Sequence, residues 1–391
     1  MNKNTSCRYW VYFFPAMMDV SVVGLGFFTT MKALSLGAGP VLLGMIGTVW
    51  GIGYSLTSLV LTRMARETRA FSFIVTSCVF TVLVGVATAL VKSVALLIFL
   101  SWWAGFWCAF FFVGFQLSMA KLALLPPEKA VAAYNFSWSL GLAFGAVMEG
   151  MLISQTEAVA LSPVIIGPLF IIGGLSLVQK TGKGQKLADS QKEERSEGRN
   201  GPFVVIGWMG LASVAVVGTA FRYLLPEIVI HRLQMDSRVT GFYLFLFFLL
   251  QSVAGFLLYR RSRWQYRFWH HPLAGLVGFF GCLSFLITSN ITGFVAFIVL
   301  LGLYSGYGFY YGVLYSLKSP LRTRHISTNE AIVGTSSIVG PFILGVALKK
   351  GLYEFFQVCA IIIMMAGLLQ VWFWLRRRGG KNDCGIETGL Q

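Results

Sequence analysis

The stretch KTGKGQKLADSQKEERSEGRN, from Lys180 to Asn200, is the one long polar run in an otherwise apolar chain, and it divides that chain into two nearly equal halves. Small residues among mixed charges give it the composition of a solvated connector with little capacity to form a core. The flanks are opposite in character. Of the 391 residues, 56% are hydrophobic and 12% charged, where a soluble domain carries about 25% charged residues. Mean hydropathy is +0.73, which points to an integral membrane protein. The formal charge of +16 sits in short loops between apolar runs, where it sets topology, so no nucleic-acid partner is expected. The six cysteines lie far apart, with no CxxC or His pairing, and read as neither a disulfide framework nor a metal site.

Runs of about 20 apolar residues, enough to cross about 30 Å of hydrocarbon, fall six before the linker and six after it. The first six cover 10–31, 40–62, 70–91, 94–118, 131–153 and 160–179; the second six cover 203–225, 239–259, 272–289, 291–315, 328–348 and 352–375. The sequence therefore predicts an N-terminal six-helix bundle (1–179), a cytoplasmic linker (180–201), a C-terminal six-helix bundle (202–378) and a cytoplasmic tail (379–391). With the N-terminus inside, 24 of the 31 Lys and Arg fall on inner segments. That asymmetry is the one expected of an even number of spans with both termini in the cytoplasm, here of a plasma (inner) membrane.

The halves also repeat. A shift of 197 positions superposes Leu36 on Leu233, Gly44 on Gly241, Ser55 on Ser252, Arg63 on Arg260 and Arg66 on Arg263, and a shift of 195 superposes Gly145 on Gly340 and Gly150 on Gly345. These matches fall at the same points in the span order, so the expected fold is all-α, with about 12 transmembrane helices in two parallel six-helix pseudo-repeats.

After span 2 comes Ser58-Leu-Val-Leu-Thr62-Arg63-Met64-Ala65-Arg66, and after span 8 comes Gly255-Phe-Leu-Leu-Tyr259-Arg260-Arg261-Ser262-Arg263. This pair resembles the loop signature of the major facilitator superfamily of secondary transporters. Both copies keep the arginines, and both lose the Asp that in the family helps latch the halves on the cytoplasmic side. The resemblance gives Arg63, Arg66, Arg260 and Arg263 a gating role, against a plainer one of anchoring loops to water and headgroups. Span 5, with Gly141 and Gly145, is similar to the glycine-rich fifth helix of family exporters, and span 11 keeps Gly340-Pro341. Four-residue glycine spacing also serves close helix packing by itself. The Arg that proton-driven exporters carry in span 4 is absent where Ser101, Gly105 and Ala109 fit the spacing, so the subgroup stays open.

Charged residues inside spans are the informative ones, since an ionised Asp at a span centre costs roughly 3 kcal/mol to insert. Asp19, near the middle of span 1, reads as a substrate or ion-coupling contact, or as a structural hydrogen-bonding group. Glu149, nearer the outer end of span 5 where water can reach it, reads as a substrate or ion-coupling contact, or as a helix-end acid that is simply solvated. It shares a face with Asn135 and Ser139 beside the packing face of Gly141 and Gly145. Tyr304, Tyr307, Tyr311 and Tyr315 fall within about 80° of arc on span 10; such a stripe lines a cavity or packs helices. Trp50 and Tyr54 on span 2, Trp138 on span 5 and Gln251 on span 8 are further cavity-lining candidates. Arg222 and its neighbours are expected around the outer end of span 7, and His270 and His271 in a basic cytoplasmic loop.

There is no phosphate-cradling loop and no Ser/His/Asp grouping at plausible depth, so neither an enzyme nor a cofactor is expected. The reading that follows is a transporter working by alternating access as a monomer, moving a small-molecule substrate across the bilayer with coupling to protons or another ion. The alternatives are a non-transporting scaffold or sensor with the same fold, and a lipid or amphiphile flippase.

Overall fold

The computed structural model describes residues 10–64, 69–122, 125–153, 155–182 and 200–382. Twelve long helices account for most of them. Before the linker they are α1 (Phe14–Ser35, preceded by a tight turn over Trp10–Phe13), α2 (Pro40–Met64), α3 (Ala70–Leu90), α4 (Val94–Leu122), α5 (Pro127–Leu152) and α6 (Ser162–Gly182). After it come α7 (Asn200–Glu227), α8 (Ser237–Leu258), α9 (His270–Thr288), α10 (Ile291–Leu317), α11 (Arg322–Lys350) and α12 (Leu352–Asn382). Eleven are long and apolar enough to cross a membrane, and the described apolar part of α6 covers Ser162–Leu175. Every expected span is thus a helix at its expected place. The linker lies mostly outside the described residues.

Local chemistry sets the joins. Gly37 adopts φ +83°, a left-handed geometry that ends α1 and lets Ala38 N bond back to Ala33 O at 3.0 Å. Asn290 caps α10 by accepting from Gly293 N at 3.0 Å, and Asp236 caps α8 by accepting from Arg238 N at 2.7 Å.

Burial sorts the helices into layers. The most hydrophobic window of α1 is 72% buried and that of α12 only 28%. Alpha-1 is therefore interior, while α12 turns Ile361, Met365, Leu368 and Trp372 outward as a lipid face. The two halves meet along two seams, α2 on α11 and α5 on α8, with α1 and α7 facing each other between them.

In the α2–α11 seam backbone meets backbone. A Cβ added at Gly51 would lie 2.6 Å from Ser337 C, and one at Gly334 would lie 2.7 Å from Ser55 Cα. In the α5–α8 seam Gly150 and Gly241 play the same part, a Cβ on either lying 3.0 Å from the other's Cα. Gly141 and Gly145 bring α5 against α1 at Ala16 and Val20, and Gly340 brings α11 against Val216 of α7. Pro341 packs on α2, its ring 2.9 Å from where a Gly47 Cβ would stand.

Candidate functional site

Between the halves lies a cavity of about 110 Å³, walled by α1, α2, α4 and α5 from one side and α7, α8, α10 and α11 from the other. Asp19, Trp50, Tyr54, Trp138 and Gln251, five of the residues singled out from the sequence, line it. Trp50 and Tyr54, one helical turn apart on α2, stack at 5.0 Å, and Trp138 meets Phe309 edge-on at 4.8 Å.

Two charged residues that the sequence did not mark as site residues stand in the same cavity. Glu330 of α11 is buried and is held from three directions. Tyr54 OH donates to Oε2; Gln116 Nε2 of α4 donates to Oε1 at 2.5 Å, and Asn329 Nδ2 also donates to Oε1 at 3.4 Å. Gln116 also donates to Tyr134 OH at 3.0 Å, so a buried polar network crosses from one half to the other through the Glu330 carboxylate. Buried networks of this kind rigidify when satisfied and are costly when broken.

Arg222 was expected at the outer end of span 7, and the structure corrects that. Pro226 suggests an early stop, yet α7 runs through it to Glu227 and continues as a wide turn over Ile228–Arg232. Arg222 is thereby set inside the span. Its Nη2 reaches across to α1 and donates to Val22 O at 2.6 Å, three residues from Asp19, a rise of about 4.5 Å along the helix. Asp19 is 4% exposed, and neither its Oδ2 nor Arg222 Nε has a hydrogen-bond partner.

The remaining expected site residues lie elsewhere. Asn135 and Ser139 face the α5–α8 seam: Ser139 Oγ accepts from Gln251 Nε2 at 2.8 Å, and Asn135 Oδ1 accepts from Trp138 Nε1 at 3.0 Å. Trp138 and Leu142 take the place on the cavity wall because they lie between that seam face and the glycine face of the same helix. Tyr304, Tyr307, Tyr311 and Tyr315 are absent from the lining; α10 presents Ser305, Phe309 and Val313 instead. The tyrosine stripe turns inward to its own half. Tyr307 OH is shared between His270 Nδ1 and His271 Nδ1 (2.8 Å to the latter), Tyr315 OH lies 3.3 Å from His271 Nε2, and Tyr304 OH pairs with Ser213 Oγ at 2.6 Å. His270 and His271 are therefore buried in the first turn of α9 and not in a loop.

Glu149 is also corrected. It is fully buried, not water-accessible, with neither carboxylate oxygen hydrogen-bonded. Its Oε2 faces α1 at Gly24, 3.4 Å from where a Cβ would stand, beside Pro163 and Val164 of α6. Among the expected gating arginines, Arg260 is exposed; Arg66 and the side chains of Arg63 and Arg263 lie outside the described residues. An ion pair does join the halves, between Lys318 at the end of α10 and Glu128 at the start of α5.

Two apolar bundles around a central, mostly apolar cavity that holds a few charged groups are the architecture of a membrane transporter. The sequence matches the Major Facilitator Superfamily model over residues 9–319, and the chain belongs to that family of transporters. Its fold is similar to that of the nucleoside transporter NupG, with a TM-score of 0.64, 11% identity, and coverage of 96% of this chain and 99% of that one. A bacterial homologue of the human lysosomal transporter Spinster, inward-facing and unoccupied, gives 0.63 and 14%, covering 96% and 95%. The human organic anion transporter MFSD10 gives 0.64 and 14%, covering 95% and 100%. At these identities the likeness shows the fold alone. No curated protein matches the sequence significantly.

Proposed function

We propose that this protein is a secondary active transporter that moves a small organic solute by alternating access, working as a monomer in a plasma membrane with both termini cytoplasmic. The observation that carries the reading is the cavity walled by both halves and lined by Asp19 and Arg222, each of which has a buried polar atom that no protein group satisfies. Buried polar atoms without partners cost stability, and a bound solute removes that cost. Asp19 contacts the solute.

Glu149 carries the coupling proton. No hydrogen-bond donor reaches its oxygens, so a proton is the partner the slot between α1 and α6 has room for. Glu330 holds the halves together between steps, and Tyr54, Trp50, Trp138 and Gln251 shape the cavity.

The test is uptake into liposomes reconstituted with the full chain under an imposed proton gradient, across sugars, nucleosides, amino acids, organic acids and lipophilic cations. Accumulation of one class, lost in Asp19→Asn and uncoupled from the gradient in Glu149→Gln, supports the reading. Silence across the panel, with both variants melting as the wild type does, returns the protein to the scaffold alternative.

A further inference from the structure

Resting on that transporter reading, we propose that the cavity takes a small zwitterion of the amino-acid type, its ammonium set against Asp19 and its carboxylate against Arg222.

The two side chains carry opposite charge and come from opposite halves, and Arg222 meets α1 at Val22 and Gly26, one to two turns along from Asp19. Arg222 is pinned by Val22 O through Nη2 while Nε stays without a partner, and Asp19 Oδ2 is likewise unpartnered. The third ionisable group differs in this respect. Glu330 already receives donors from Tyr54, Gln116 and Asn329, so it is no open acceptor for a cationic solute. One acceptor and one donor of opposite sign therefore lack partners on the walls of the same cavity. A solute with a single charge satisfies one and leaves the other buried and unpaired, which is the condition under which polar sites discriminate most strongly.

The surroundings fit that class. The cavity, about 110 Å³ and not fully enclosed, has room for a small solute. The stacked Trp50–Tyr54 pair on the same wall offers ring faces to an ammonium group.

The closing experiment is a matched set on the purified full-length protein, read as ligand-induced rise in melting temperature over a concentration series: L-alanine, ethylamine (alanine without its carboxylate), propionate (alanine without its ammonium), and glucose as an uncharged control. L-alanine is expected to bind tighter than ethylamine or propionate by about tenfold or more. Asp19→Asn should abolish the preference over propionate, and Arg222→Gln the preference over ethylamine. The wild-type ranking needs no variant, so a misfolded variant leaves the proposal testable. Propionate or ethylamine binding as well as L-alanine overturns it. A different class stabilising the wild type, with gradient-driven uptake of that class, overturns the zwitterion and leaves the transporter standing. No binding by any solute together with silent liposomes removes both.

Discussion

The two seams that join the halves share a backbone geometry and differ in the chemistry set on it. Under the shift that aligns the repeats, α2 corresponds to α8 and α11 to α5, so the α2–α11 seam is the counterpart of α8–α5. The backbone contacts correspond: Gly44 approaches Gly345 in one seam as Gly241 approaches Gly150 in the other. So do two hydrogen bonds, Ser55 Oγ to Ala331 O at 3.4 Å and Ser252 Oγ to Phe136 O at 3.0 Å. The next positions break the match. Where one seam has Tyr54 and Glu330, the other has Gln251 and Asn135. Shape is thus shared by both seams, and ionisable chemistry is confined to one.

Glycine substitutions test the shared part and should have the largest effect. Gly51→Leu drives a side chain into the α11 backbone, and a loss of about 3 kcal/mol or more is expected, read as a collapse of folded yield and melting temperature. Gly241→Leu should do the same to a smaller degree, its nearest obstacle, Ala146 O, standing 2.7 Å away. A Gly51 variant that melts like the wild type would remove the backbone-contact account of that seam.

The chemical difference is tested by Glu330→Ala against Gln251→Ala. The first strands three donors at about 1 kcal/mol or more each; the second strands only Ser139 and Ser305, so its cost should be about two-thirds as large. Equal costs in chemical denaturation would mean the seams are equivalent after all. Ser252→Ala should lose about 1 kcal/mol and Ser55→Ala somewhat more, because Ser55 Oγ also pairs with Thr335 Oγ1 at 3.0 Å. The smallest effect is expected for Lys318→Ala. Its ion pair with Glu128 is partly exposed, so the loss should be at most about 1 kcal/mol and should shrink as salt is raised.

The architecture was legible in the sequence because lipid imposes one requirement, about 20 apolar residues per span, that short windows reveal. The repeat was legible because Gly44, Gly150, Gly241 and Gly345 meet in space, and only glycine tolerates that approach. The site was legible in part. Asp19 stood out as an acid in a long apolar run. Glu330 did not, because it follows Ser327, Thr328 and Asn329 in a stretch that reads as the polar start of a helix. Arg222 was set at the outer end because the apolar run ends at 225, whereas the helix runs on through Pro226 to Glu227 and beyond. The tyrosine stripe had the right period and the wrong partner: periodicity identifies a face without saying whether it meets the other half or its own, and His270 and His271 were already there.

The manner in which Glu330 is held bears on how fast such a molecule can change shape. A movement that parts α2 and α4 from α11 takes Tyr54 and Gln116 away from the carboxylate together, while Asn329 travels with it. On the transporter reading water must fill both vacancies, so parting the helices should become harder in solutions of low water activity even when nothing is bound.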